Sequence, residues 1–138
     1  MALRGDQGTA HFAVKIARSP LEREHGLMDW RQMGADAGML FVFDPPVHAV
    51  FWMKDTYLPL DMIFLDRQGR VLQIHPDAKP LDESLIDGGD DVAFVLEVNA
   101  GIAKARGIAV GSVMRSAEIA PAQAIWKCDA PLGLSLAR

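Results

Sequence analysis

Cysteine and long apolar runs are the features this sequence lacks most clearly. Cys128 is the only cysteine in 138 residues, which excludes an internal disulfide and any paired-cysteine metal or redox site. No apolar run approaches the ~18 residues that a membrane-spanning helix needs. Residues 1–8 also lack the apolar stretch of a signal peptide. We therefore expect no transmembrane segment and no chemical role for the Cys128 thiol.

Positive charge is also scarce. The chain has 14 Lys and Arg residues against 18 Asp and Glu residues, a net charge of -4. Proteins that bind nucleic acid need a basic patch that displaces counterions from the phosphates, and the basic residues here form no cluster. The composition therefore argues against a nucleic acid partner.

Several motifs that carry chemistry are missing. The Gly-x-Ser-x-Gly nucleophile motif, phosphate-binding loops and dinucleotide-binding glycine patterns do not occur. The histidines show neither the i,i+4 nor the His-x-His spacing of a zinc site; they are His11, His25, His48 and His75. Residues 87–91 lack the alternating ligands of a calcium loop, and the methionines lack the short spacing of a copper site. We expect neither a metal nor a cofactor.

The patterning of apolar residues predicts a mainly β fold. Several segments alternate apolar and polar residues as half-buried strands do, and others are apolar on both faces, as in central strands. The predicted strands are residues 11–17, 39–43, 50–53, 60–66, 70–75, 92–98 and 112–119, and residues 124–127 could add a short one. Residues 66–69, Asp-Arg-Gln-Gly, have the composition of a hairpin turn. Pro45 and Pro46 are expected to end the strand before them, because proline cannot donate to a β-ladder.

Two short helices are predicted from their capping residues. Ser19 and Glu22 have the spacing of a capping box, and Pro20 between them suits the first helical position. Asn99 is expected to cap a second helix that runs to Arg106.

These elements predict one domain: an antiparallel β-sandwich or a barrel-like fold with two short helices. We expect residues 1–9 to be a flexible N-terminus, residues 10–128 to form the β-rich domain and residues 129–138 to be a loose tail. Residues 76–91 are expected to form a long polar loop.

Four segments together resemble a known bacterial and archaeal family, the domain-of-unknown-function family 192. They are residues 26–28, residues 38–43, residues 51–54 with 60–64, and residues 96–101. The resemblance implies a compact, mostly β, sandwich-like domain. It also implies export in many relatives, whose precursors carry a leader that this chain lacks. We accordingly expect a periplasmic or exported protein if the N-terminus is a trimmed one, and a cytoplasmic protein otherwise.

The stretch of residues 50–66 holds the first candidate site residues. Trp52 is a candidate apolar wall of a pocket, and Lys54 with Asp61 could form either a recognition pair at its mouth or a structural ion pair. Glu97 is an acid inside an apolar strand and must be satisfied by some partner. Asn99 could help to hold an anion at a helix start or serve only as a cap.

His75 completes the candidates, as a general base or as an ordinary strand-end histidine. With no residue assigned a catalytic role, we expect a noncatalytic domain of the cell envelope that binds a small ligand or a protein. One alternative is a hydrolase-like or lyase-like enzyme that uses Asp61, Glu97 and His75 for acid/base chemistry. Another alternative is a structural or assembly partner. The enzyme hypothesis requires these three side chains to meet at one cavity.

Overall fold

The computed structural model describes residues 1–128. Within these residues the chain forms eight strands and two short helices, which confirms the predicted mainly β class. The elements in order are β1 (Ala2–Gly5), β2 (Gly8–His11), β3 (Ala13–Ala17), α1 (Pro20–His25), β4 (Ala37–Phe51), β5 (Leu60–Leu65), β6 (Val71–Ala78), β7 (Ile86–Asn99), α2 (Ile102–Ala105) and β8 (Val113–Arg115). Neither helix of the described chain is long and apolar enough to cross a membrane.

The strands form two sheets. The larger has the order β3-β4-β7-β5-β6 and the smaller the order β2-β1-β8. Pairing is antiparallel except between β3 and β4, which run parallel. Leu3, Ala10 and Met114 of the small sheet belong to the same buried cluster as one face of the large sheet. The molecule is therefore a sandwich of two sheets rather than a barrel.

The large sheet is buried on both faces. Leu40, Leu96 and Ile63 are in register across its central strands, on the face that packs against the small sheet. The next residues along each strand point the other way, into a second buried cluster that includes Leu27 and Met53 from the loops. Burial on both faces explains why the central strands show no polar alternation.

The predicted capping box and the predicted hairpin turn are both confirmed. Ser19 Oγ accepts a hydrogen bond from the Glu22 amide at 3.1 Å, and Glu22 Oε1 accepts one from the Ser19 amide at 2.8 Å. In the β5–β6 hairpin, Asp66 Oδ1 accepts from the Arg70 amide at 3.0 Å. Gly69 takes a φ of 90° there, which a residue with a side chain rarely adopts.

The prolines do not end a strand as predicted. β4 continues through Pro45 and Pro46 to Phe51, with register shifts between Val42 and Val47. Such irregularities take the prolines out of the regular ladder, so pairing resumes beyond them. β7 pairs with this extension and starts at Ile86. The expected polar loop at residues 76–91 is therefore confined mainly to residues 79–85.

The ends of the chain also differ from expectation. Residues 2–5, expected to be flexible, form the central strand of the small sheet, and Ala2 and Leu3 are buried. The segment is too short to show a strand pattern by itself, and its pairing with β2 and β8 holds it in place. The strand expected at residues 112–119 is limited to β8, and residues 124–127 are not a strand. The expected loose tail, residues 129–138, lies outside the described residues.

Candidate functional site

A small pocket opens on the face of the large sheet that is turned away from the small sheet. It lies where the end of α1, the middle and end of β4 and the loop after β4 meet. Its volume is about 30 Å³, and its lining residues are Arg23, His25, Gly26, Leu27, Met28, Phe41, Phe51, Trp52, Thr56 and Glu97. An adjoining cleft of about 210 Å³ shares Arg23, Phe51 and Trp52 with it.

Glu97 is the buried acid of this pocket. β7 places it between Met39 of β4 and Met62 of β5, and the residue is only 4% exposed. Burial raises the pKa of the Glu97 carboxyl to about 8, because transfer out of water disfavours the charged form. At neutral pH the carboxyl is therefore mostly protonated.

The Glu97 carboxyl has no hydrogen-bond or ion-pair partner among residues 1–128, and burial alone accounts for its pKa. In the same residues, every fully enclosed side-chain nitrogen or oxygen does have a hydrogen-bond partner. The Glu97 oxygens are therefore not fully enclosed, and they reach the space of the pocket.

Aromatic rings form much of the pocket wall. The Phe51 ring packs edge-on against Phe41, with ring centres 5.1 Å apart, and against Phe64 at 6.0 Å. These contacts join the wall to the hydrophobic core. Trp52 follows Phe51 at the end of β4 and is 42% exposed, so it forms the outer rim.

The two basic residues of the lining are engaged elsewhere. Arg23 Nη1 donates to the carbonyl oxygen of Val42 at 3.1 Å and to that of Arg18, and its guanidinium lies 4.9 Å from the centre of the Phe43 ring. His25 Nδ1 lies 3.3 Å from the carbonyl oxygen of Gly26. Since a carbonyl can only accept, Nδ1 carries the proton in that contact.

The loop that carries Trp52 is fixed by backbone hydrogen bonds on both sides. The Asp29 amide donates to the Asp55 carbonyl oxygen at 2.9 Å, and the Met53 amide donates to the Asp82 carbonyl oxygen at 2.9 Å. The Thr56 hydroxyl turns back to the Lys54 carbonyl oxygen at 3.1 Å. The loop after β4 is therefore tied to two other segments of the chain.

Three of the predicted site residues lie at or beside this surface. Trp52 and Glu97 line the pocket, and the exposed Lys54 places its ammonium 5.3 Å from the centre of the Trp52 ring. His75 is half-buried on β6, opposite Met62, so that β5 separates it from Glu97.

Asp61 lies on the opposite face of the large sheet, because its register partner on β7 is Val98. Its Oδ1 accepts from the Asp77 amide at 2.9 Å, and its Oδ2 accepts from the amides of Gly101 and Ala103 at 3.0 Å each. Within the described chain these amides, not Lys54, hold the Asp61 carboxylate, so the expected ion pair is replaced by an anchor for the loop before α2.

Asn99 does not cap a helix, since α2 begins at Ile102 with Gly101 as its N-cap. The Asn99 side chain instead donates to the carbonyl oxygen of Met33 at 2.7 Å. A residue that holds a loop in this way has no free amide to offer an anion. With Asp61 and Glu97 on opposite faces, the three side chains of the enzyme hypothesis do not meet at one cavity.

Sequence reasoning missed several lining residues, among them Arg23, His25, Phe41, Phe51 and Thr56. A signal for some of them was present, because the family-like segments converge here. Residues 26–28, residues 38–43, residues 51–54 and residues 96–101 each contribute to the lining. The segments are far apart in the sequence, so only the folded chain shows that they share a pocket.

Comparisons with known proteins agree with this resemblance. The profile of family 192, described as "Uncharacterized ACR", matches residues 2–116. A solved structure of a protein of unknown function from Novosphingobium aromaticivorans is 37% identical with a TM-score of 0.80, over 81% of this chain and 80% of that one. A Sinorhizobium meliloti protein, provisionally called a transcription regulator, is 44% identical with a TM-score of 0.79, over 81% of this chain and 88% of that one. No curated protein matches. The chain therefore belongs to the domain-of-unknown-function family 192.

Proposed function

We propose that this chain is a noncatalytic small-ligand-binding domain, with the pocket of Glu97 and Trp52 as its binding site. The observation that carries the proposal is the Glu97 carboxyl, which is 4% exposed and has no partner among the described residues. Burying a carboxyl without a partner costs several kcal/mol, on the order of 1–3 even for a neutral polar group. A ligand that contacts the carboxyl would recover that free energy on binding.

The shape of the surface favours a small ligand over a protein partner. Small-molecule sites are concave and mostly apolar, with a few polar groups that fix orientation. The Glu97 pocket and the adjoining cleft are concave and combine aromatic side chains with a single buried acid. The exposed ring of Trp52 supplies a large apolar surface at the entrance.

Binding is favoured over catalysis by the composition of the lining. Thr56 supplies the only hydroxyl among the described lining residues, and it donates to the Lys54 carbonyl oxygen. A nucleophile needs an adjacent base to activate it, and no such pair faces Glu97 here. The name of the Sinorhizobium meliloti relative suggests a role in transcription. Direct contact with DNA fits this chain poorly, because its net charge is -4.

A thermal-shift and NMR screen of small amines, carboxylates, sugars and metal ions tests the proposal. We expect at least one probe to stabilise the protein and to shift the Trp52 indole resonance, and the Glu97→Gln variant to lose both responses. Glu83→Gln, at an exposed loop position, is the matched control and should respond as wild type. If no probe binds, or if Glu97→Gln responds in the same way as wild type, the proposal is wrong.

Lys54 provides a second measurement on the same screen. Its side chain is exposed beside Trp52, so we expect Lys54→Ala to change the ligand response more than the melting temperature. An equal ligand response in Lys54→Ala and wild type would exclude Lys54 from the site while leaving Glu97 in it.

A further inference from the structure

We propose that the ligand of this pocket is a small organic cation, an amine whose ammonium group pairs with the Glu97 carboxylate between the aromatic walls. This inference rests on the proposed function and names the ligand class of the same site.

The Glu97 carboxyl lacks a counter-charge within the described residues. Glu97 has no cationic neighbour within the described residues that lowers its pKa. Arg23 is directed to the carbonyl oxygens of Arg18 and Val42. An anionic ligand would need several donors, and the lining offers few free ones. A cation needs only the carboxylate, and the carboxylate is the group without a partner.

The aromatic residues of the pocket wall also favour a cation. A cation is attracted to the negative face of an aromatic ring within about 6 Å of its centre. Phe41, Phe51 and Trp52 line the same pocket as Glu97. The protein already uses this attraction at the rim, where the Lys54 ammonium lies 5.3 Å from the centre of the Trp52 ring.

The volumes of the pocket and of the adjoining cleft suit a small amine. The Glu97 pocket has a volume of about 30 Å³, above the ~10–15 Å³ that a group the size of one water molecule needs, so it has room for one ammonium group. The adjoining cleft of about 210 Å³ can take the apolar part of the ligand, because Phe43, Val50 and Phe51 line it. A metal ion fits less well, since no group of three or more His, Cys, Asp or Glu side chains in residues 1–128 could hold one.

Binding of a cation is coupled to a proton. Below pH 8 the Glu97 carboxyl holds its proton, whereas the ion pair needs the carboxylate. The carboxyl therefore releases one proton to the buffer when the alkylammonium binds, and the alkylammonium keeps its own protons because its pKa is near 10. Affinity should rise about tenfold per pH unit below pH 8 and level off above it.

The test is a titration of wild-type protein with ethylammonium, acetate and ethanol, three probes of similar size and different charge. Calorimetry in buffers of different ionisation enthalpy measures the proton released, and the Trp52 indole resonance reports the site. We expect only ethylammonium to bind, about tenfold more tightly at about pH 7.5 than at about pH 6.5. Glu97→Gln should weaken its binding about tenfold or more and remove the pH dependence.

The outcomes separate this inference from the proposed function. Binding of acetate or ethanol at Trp52, with ethylammonium inert, overturns the cation inference and leaves a ligand-binding pocket. Ethylammonium binding that is unchanged in Glu97→Gln also overturns it. If none of the three probes nor any in the wider screen binds, and a crystal grown with ethylammonium shows only a water molecule at Glu97, both proposals are wrong.

Discussion

Asp61 and Glu97 are two buried carboxyl groups on neighbouring strands, and they differ in their hydrogen bonding. Asp61 is 1% exposed and Glu97 is 4% exposed. Three backbone amides donate to the Asp61 oxygens, whereas the Glu97 carboxyl has no partner among the described residues. The difference shows that burial by itself does not identify a functional acid. The hydrogen-bond donors around the carboxyl decide whether the acid has a structural role or is available to a ligand.

The position of each acid in its strand explains the difference. Asp61 is the second residue of β5, beside the end of β6 and the start of α2, and amides of both segments donate to its carboxylate. Glu97 lies inside β7 with Met39 and Met62 as its neighbours. Amides in the middle of a sheet are already used by the ladder, so none is available to Glu97.

The largest expected effect is the loss of the Asp61 anchor. Asp61→Ala leaves the amides of Asp77, Gly101 and Ala103 without an acceptor. We expect the free energy of unfolding to fall by about 3–5 kcal/mol. Chemical denaturation measures this, with Glu83→Ala at an exposed loop position as the control. A loss no greater than that of the control would show that the three hydrogen bonds contribute little.

Near pH 8, Glu97→Gln should raise the free energy of unfolding, whereas Asp61→Ala should lower it. The carboxyl has a pKa of about 8 in the folded protein against an ordinary value of 4.5, so between these values the folded state holds a proton that the unfolded state has lost. The contribution of this group to stability is therefore greatest below about pH 5 and falls as the pH rises to 8.

The wild-type protein should lose about 1.4 kcal/mol per pH unit relative to Glu97→Gln across that window. Denaturation of both proteins at several pH values measures the difference, and all other titrating groups cancel between them. Parallel curves for the two proteins would contradict the raised pKa. Glu97→Gln should be the more stable protein at pH 8, where wild type buries a partly charged carboxyl.

A smaller effect is expected at the rim of the pocket. Trp52 is 42% exposed, so Trp52→Ala should cost only about 1 kcal/mol of stability. Its effect on ethylammonium binding should be about tenfold weaker affinity, since the aromatic contact is lost. Lys54→Ala should instead strengthen that binding, because it removes a like charge from the rim. Calorimetry should show that the two variants change the affinity for ethylammonium in opposite directions if the ligand is a cation. Affinity changes in the same direction would contradict a cationic ligand.

The smallest effect is expected in an exposed cluster of charges. His48 Nδ1 lies 2.6 Å from Asp90 Oδ1, and His48 Nε2 lies 2.7 Å from Asp87 Oδ1. The hydrogen bond to Asp90 is the main reason that the pKa of His48 is raised, followed by the charge of Asp87. The stability that the cluster adds is present below pH 6.5 and is lost as the pH rises through the raised value.

An NMR titration of the His48 ring measures that shift. Asp90→Asn should move the pKa of His48 back towards 6.5 and leave the midpoint of denaturation nearly unchanged, because exposed pairs contribute little. A large loss of stability in Asp90→Asn would contradict this, and would show that the cluster stabilises the fold as Asp61 does.

Part of the candidate site could be predicted from the sequence. A large aromatic residue and an acid inside an apolar strand each need a physical explanation, which points to Trp52 and Glu97, and both line the pocket. The same reasoning points to Asp61, but its partners are amides that adjoin it only in the folded chain. Arg23 and His25 were missed because the end of α1 meets β7 only through the tertiary fold.

Features that depend on near neighbours can be predicted from the amino-acid sequence. The capping box of Ser19 and Glu22, the hairpin at Asp66 and the strands of the core follow from interactions over two to four residues. Features that depend on pairing between distant segments come from the tertiary structure. It extended β4 past two prolines, ordered residues 2–5 between β2 and β8, and gave donors to Asp61 but not to Glu97. The reason is that the face of a strand on which a side chain lies follows from the local sequence. The hydrogen-bond partners of that side chain belong to segments that are distant in the sequence.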